Sequence, residues 1–298
     1  MTAATTSSPA VITLSERRIS NRARFWRAFR RNRVALIGLV LVILICLSAI
    51  LADVIAPYDP IEPHYTERLQ APSAEFPLGT DELGRDLLSR LLYGARISLV
   101  IGFVAQSVAI TTGIIIGMIS GWYGGLIDDA LMRLADIFFA IPGLMFLIVW
   151  VTIFDPNPIS IFLALGLISW PSNARMMRSQ VLHLKEMDYV LAARSLGAST
   201  PRILVHHILP NAIAPMIVLA SLGVAGVILS ESILSFLGLG IQIPTPSWGT
   251  MVSSSRGYIT SAWWYGVFPG LIIMLTVLGF NFLGDGLRDA LQPNQYNK

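Results

Sequence analysis

The chain has 298 residues, of which 54% are hydrophobic and only 13% charged, with a formal net charge of +3. Soluble globular domains carry roughly 25% charged residues, so this composition excludes a soluble enzyme and defines an integral membrane protein. No nucleic-acid partner is expected; the partner that composition demands is a lipid membrane.

In chain order, a basic N-terminal segment (1–33) comes first, with Arg17, Arg18, Arg22, Arg24, Arg27, Arg30, Arg31 and Arg33. Within it "RARFWRAFRRNR" mixes arginines with Phe25, Trp26 and Phe29, the pattern of an interfacial helix on an anionic leaflet. The first apolar block, Val34 to Ala52, has spanning length and follows 33 residues with no small-residue cleavage site after it, so it reads as a retained anchor. Cys46, the only cysteine, sits in that block as a small apolar packing residue and permits no internal disulfide. The uncharged run Ile97 to Ile127 is too long for one span, and "SGWYGG" (120–125) offers a turn in which to divide it. Ile137 to Phe154 is the third block, its Pro142 tolerable in a membrane helix. Ile159 to Ala174 is the fourth and is expected to continue as helix into water toward Arg178. Asn211 to about Leu237 and Trp263 to Gly284 are the fifth and sixth. The predicted fold is all-α and polytopic, with a domain of six spans over 34–284.

Cytoplasmic segments near span ends are enriched in Lys and Arg. The N-terminus is therefore placed inside, and six spans return the C-terminal tail (285–298) to the same side. Segments 57–95 and 238–262 fall outside, and 175–210 falls inside with Arg175, Arg178, Lys185, Arg194 and Arg202.

That inner segment contains "DYVLAARSLGASTPRILVHHILPN" (188–211). Lys185 to Leu196 favours helix, and Gly197 stands where a helix end wants a residue free to adopt positive φ. Ser199 or Thr200 then suits an N-cap and Pro201 a first helical position. The second short helix is expected to stop before Pro210. Two readings remain open for this helix, corner and helix: a surface that seats in a partner's groove, with small Ala192 and Ala193 allowing close approach, or a loop packed on its own membrane domain.

"AARSLG" followed by "HILP" resembles the cytoplasmic loop of ABC importer permeases, in which Glu-Ala-Ala, three residues and Gly are followed by nine residues and a hydrophobic-x-Leu-Pro ending. Ala192, Ala193, Gly197, Leu209 and Pro210 match by position, while Leu191 replaces the family's Glu and His207 an aliphatic residue. "LGTDELGRDLLSRLLYGARISL" (78–99), "SFLGLGIQIPTPSWGTM" (235–251) and "FNFLGDGLRDALQP" (280–293, with Gln292 where Asp is usual) resemble the second permease of the dipeptide, oligopeptide and nickel group. The likeness covers about residues 25–293. It implies a coupling helix built from Leu191, Ala192, Ala193, Gly197, Ala198, Ser199, Pro201, Leu209 and Pro210. It also implies a second permease, two ATP-binding cassette subunits, an external substrate-binding protein and a prokaryotic plasma membrane. ATP and Mg are expected on the ATPase subunits, with no cofactor on this chain, and selectivity resembles a property of the binding protein.

Glu231 is the acidic residue most deeply placed in an apolar block. At about 1.5 Å per residue from Asn211 it lies roughly 30 Å along its helix, near the outer interface. It either lines the translocation path or pairs with a polar neighbour to fix packing, and its depth favours the second. His183, His206 and His207 lack metal-ligand spacing. "FLGLG" and "LGDG" lack the lysine-bearing spacing of a phosphate loop. Asp128, Asp129 and Asp136 are expected to make polar contacts with Arg133. A secondary transporter or channel would need midplane carboxylates, and an intramembrane enzyme paired catalytic groups; neither pattern is evident.

Overall fold

The computed structural model describes residues 21–291, with side chains from Phe25 onward. Arg17, Arg18 and Gln292, and the side chains of Arg22 and Arg24, lie outside it. Twelve α-helices are found among the described residues: α1 (Asn21–Arg31), α2 (Arg33–Ile50), α3 (Ala52–Ile55), α4 (Leu87–Tyr123), α5 (Gly125–Ala140), α6 (Gly143–Phe154), α7 (Pro158–Leu184), α8 (Asp188–Ser195), α9 (Thr200–Ile203), α10 (Leu209–Phe236), α11 (Trp248–Ser255) and α12 (Trp263–Leu291). Their starts follow local chemistry. Asn32, Asp86, Asn157 and Ser247 stand just before α2, α4, α7 and α11, and each accepts a backbone N–H from the first turn, satisfying donors that a helix leaves without partners.

Two expected boundaries move. The apolar run from Ile97 begins ten residues into a 37-residue helix, so α4 takes up part of the expected outer loop and "SGWYGG" ends it, with Gly124 at φ +65°. Pro142 does not sit inside a helix. It has no N–H, and it holds Ile141 extended at ψ 123°, so α5 and α6 meet at an 87° bend. At 12 residues, or roughly 18 Å, α6 is too short to cross a bilayer core alone.

Among the described residues, α2, α4, α12 and the continuous helix Thr200–Phe236 are long and apolar enough to span, and the bent pair makes up to five. The remaining expected span, the fourth, falls in α7, which has the length, at 27 residues, but whose second half carries Asn173, Arg175 and Arg178. Arg175 and Arg178 are met by Asp136 and Asp128 of α5, and Asn173 is buried where α7 packs closely on α4. A Cβ added at Gly113, Gly117 or Gly121 would stand 2.4 Å from the Asn173 Cβ, 2.5 Å from the Ala174 carbonyl oxygen or 2.8 Å from the Val181 Cβ. Glycines four apart form a flat stripe that brings two helix backbones together. Gly38 of α2 meets α12 in the same way, its Cβ position 2.8 Å from the Gly279 carbonyl oxygen.

The bundle has two dissimilar ends. At one, segment 56–86 folds into a lobe: Thr80 and Gln70 exchange hydrogen bonds, and the Asp81 carboxylate accepts from the backbone of Leu83 and Arg85 and from the Arg85 guanidinium at 2.7 Å. Arg90 lies 3.3 Å from the same carboxylate and donates to the Pro60 carbonyl. Trp264 of α12 and Trp248 of α11 tie in through indole N–H bonds to the Thr80 and Leu91 carbonyls. Beside the lobe, Asp53 pairs with Arg96 and accepts from Tyr93, which holds its carboxyl below the ordinary carboxylate range. The other end carries α1, the close of α4 and α7, and the segment 185–208.

Candidate functional site

At this second end, α7 stops at Leu184, a three-residue turn follows, and α8 runs to Ser195. Gly197 adopts φ +80°. Its N–H donates to the Arg194 carbonyl, and the Ala198 N–H donates to the Ala193 carbonyl, at 3.0 and 3.1 Å. This pair of bonds is the Schellman closure, which satisfies the last carbonyls of a helix and requires a left-handed residue at the turn. The Gly197 expectation is thus met in geometry. The capping expectation is corrected: Ser199 occupies the N-cap of α9, but neither its hydroxyl nor that of Thr200 caps, and Pro201 takes the second helical position.

A larger correction follows at Pro210. The helix does not stop there, because α9 passes through a π turn (Leu204–Ile208) directly into α10. In that turn the Leu209 N–H reaches back five residues to the Leu204 carbonyl. A π turn widens the helix locally, giving the ring of Pro210 room where an α-turn would place a carbonyl against it. The Asn211 side chain donates to the His207 carbonyl at 2.7 Å, supplying a hydrogen bond beside the prolyl residue, which has no N–H. The corner is thereby joined to one helix of 37 residues, Thr200–Phe236, roughly 55 Å long.

The corner has an inner and an outer face. Inside, Val190, Ile203 and Ile208 are buried with Met177, Val181, Ala212 and Met216, and Ala193, Ala198 and Leu209 pack half-buried against them. Arg194 lies over the Trp122 ring at 4.8 Å, and the Lys185 ammonium donates to the Gly121 carbonyl. Outside, Leu191, Ala192, Gly197, Ser199, Pro201 and Pro210 are exposed. Leu196 is 88% exposed, and a Cβ at Gly197 would meet nothing within 4 Å. The structure brings all nine predicted corner residues together, six of them exposed, with Arg194 and Arg202 exposed among them.

Asp128 and Asp136 of α5 do not pair with Arg133. Asp128 accepts from Arg178 and Ser120, and Asp136 from Arg175. Sequence proximity suggested Arg133, but the α5–α7 crossing presents the arginines of α7 instead.

Glu231 is fully buried near the end of α10. One carboxylate oxygen accepts from Ser235 at 2.7 Å and Ser247 at 3.4 Å, which links α10 to the cap of α11. It does not line the polar groove nearby.

That groove was missed in the sequence. It lies between α4, α7 and α10, has a volume of about 440 Å³, and is lined on its polar side by Gln106, Ser169, Ser172, Asn173 and Ser230. The available signal was Gln106, a carboxamide in an uncharged run; its partners come from helices distant in sequence.

Long apolar helices beside a polar groove, with a helical corner at one end, make this an all-α polytopic membrane protein. Its fold matches a chain of the MetNI methionine ABC transporter, solved in inward-facing conformations, with a TM-score of 0.53 at 19% identity over 67% of this chain and 96% of that one. The sequence profile described as "Binding-protein-dependent transport system inner membrane component" matches residues 113–295, and "N-terminal TM domain of oligopeptide transport permease C" matches 20–72. The chain belongs to the family of binding-protein-dependent transport system inner membrane components. Among its relatives are the dipeptide transport system permease protein DppC of Escherichia coli strain K12, 47% identical over 90% of this chain and 92% of that protein, and DppC of Haemophilus influenzae, 44% identical over 90% and 93%. The oligopeptide transport system permease protein OppC of Bacillus subtilis is 42% identical over 89% and 87%.

Proposed function

We propose that this chain is the second permease of an ATP-driven importer for di- or oligopeptides. It pairs with another permease, two ATP-binding cassette subunits that carry ATP and Mg, and an external substrate-binding protein. Both termini and segment 175–210 lie on the cytoplasmic side of the inner membrane, and the 56–86 lobe and α11 lie outside, in keeping with the distribution of arginines. The outer face of the corner seats on an ATPase subunit. Closure of the ATPase pair moves the corner, and the continuous helix Thr200–Phe236 carries that movement across the membrane as a two-state shift. In this reading Glu231 fixes the packing of α10 on α11 at the outer end.

The observation that carries the reading is the Schellman corner at Gly197, exposed outside and covalently continuous with a spanning helix. Gly197→Val tests it. The substitution meets no atom of the chain itself but opposes a φ of +80° and fills the outer surface. The variant is expected in the membrane in normal amount, with uptake and substrate-stimulated ATP hydrolysis lost. A cysteine at the exposed Ser199 is expected to crosslink to the ATPase subunit. Normal transport by Gly197→Val, or no crosslink in an assembled complex, refutes the reading.

A further inference from the structure

The groove between α4, α7 and α10 differs from the groove between α2 and α4 in what its polar groups are doing. Between α2 and α4, a groove lined by Cys46, Ile50, Leu99 and Val100 has one charged group, Arg96, already bonded to Asp53 and to the Ala49 and Ile50 carbonyls. That surface suits a lipid chain. In the polar groove, Ser169 bonds back to its own helix, as Ser107 and Ser232 do elsewhere. The hydroxyls of Ser172 and Ser230 make no hydrogen bond among the described residues.

Gln106 and Asn173 are nearly buried, and each directs its NH2 at a backbone carbonyl, of Leu219 and Ser169, at 3.3 Å. Carbonyls only accept, so each side-chain amide oxygen is left as an acceptor. Gly223 makes this arrangement possible, since a Cβ there would stand 2.3 Å from the Gln106 amide, and Gly226 leaves the groove floor open. Gln106 lies near the middle of α4, where unpaired polar groups facing lipid are costly. Lipid is therefore the wrong occupant.

We propose that this groove is the surface the solute slides along, and that it contacts the peptide main chain rather than its side chains. This rests on the reading of the chain as a peptide permease. The amide oxygens of Gln106 and Asn173 accept main-chain N–H groups, and the hydroxyls of Ser172 and Ser230 donate to main-chain carbonyls. No charged side chain lines the groove, so acidic, basic and apolar peptides meet the same neutral contacts. Each net hydrogen bond is weak, which lets a solute leave as readily as it enters. One wall belongs to the helix that continues into the Gly197 corner, so movement of the corner reshapes the groove.

The test uses the full complex reconstituted in proteoliposomes with its partner permease, ATPases and binding protein, in a Cys46→Ala background. Ser172→Cys and Ser230→Cys are expected to react with a charged, water-soluble methanethiosulfonate and to lose uptake on reaction. Val100→Cys, on the apolar groove, stays unreactive. Gln106→Ala is expected to lower uptake of an acidic, a basic and an apolar tripeptide by the same factor, up to about tenfold. Unreactive cysteines at 172 and 230 in a complex that transports would mean that the groove is sealed by the partner permease, and would overturn the proposal while leaving the permease reading standing. Factors that differ widely among the three tripeptides overturn main-chain recognition. A complex that hydrolyses ATP but takes up no peptide overturns the functional reading, and this proposal with it.

Discussion

At one end of the bundle, Asp81, Arg85 and Arg90 are almost completely buried and answer one another; at the other, Leu191, Leu196 and Val205 are apolar and 41%, 88% and 51% exposed. The first end has taken charges out of water, which is stable only when every partner is present. The second has left hydrocarbon in water, which is unfavourable for this chain alone and favourable once something covers it. The first region meets its buried charges mostly from within the chain, and the second leaves an apolar surface that the chain itself does not cover.

The largest effect expected from breaking this contrast is at the charged end. Asp81→Ala leaves the Arg85 and Arg90 guanidiniums buried without their carboxylate and should cost about 3–5 kcal/mol, read as a sharp fall in the detergent unfolding temperature and in membrane yield. An unchanged melting temperature would show that the lobe is not what braces the helices. Next is Gly117→Leu, which drives a side chain into the Ala174 carbonyl and the Met177 Cβ; overpacking at such a crossing costs about 1–3 kcal/mol, measurable by thermal unfolding, and a stabilised variant would contradict close α4–α7 contact. Removing the cation–π contact with Arg194→Ala should cost about 0.5–1 kcal/mol by the same measurement, with a larger loss pointing to a buried role for Arg194. The smallest is Leu191→Glu on the outer face. Surface changes of this kind stay within about 0.5 kcal/mol, so its melting curve should overlay that of the parent while crosslinking yield to the ATPase changes.

The corner was legible from residues 188–211 because its determinants are local: a glycine where the chain turns left-handed, and small residues on the face before it. Pro210 was misread for an equally local reason. Proline usually ends a helix, and only the π turn at 204–208, held by the packing of Ile203 and Ile208 on Val181 and Met216, lets the helix continue. Pro142 was misread in the opposite direction, since membrane helices often tolerate proline and nothing in the neighbouring residues announced an 87° bend.

Composition and apolar block length determined the class of this protein, its long helices and the position of its corner, because hydrophobicity and backbone conformation are properties of single residues and short windows. Only the tertiary structure decided that Asp128 pairs with Arg178 rather than with a residue of its own helix, that Glu231 ties α10 to α11, and that Gln106, Ser172, Asn173 and Ser230 share one groove. Those facts depend on which faces of α4, α5, α7 and α10 meet, and helix crossings are set by contacts between residues dozens of positions apart.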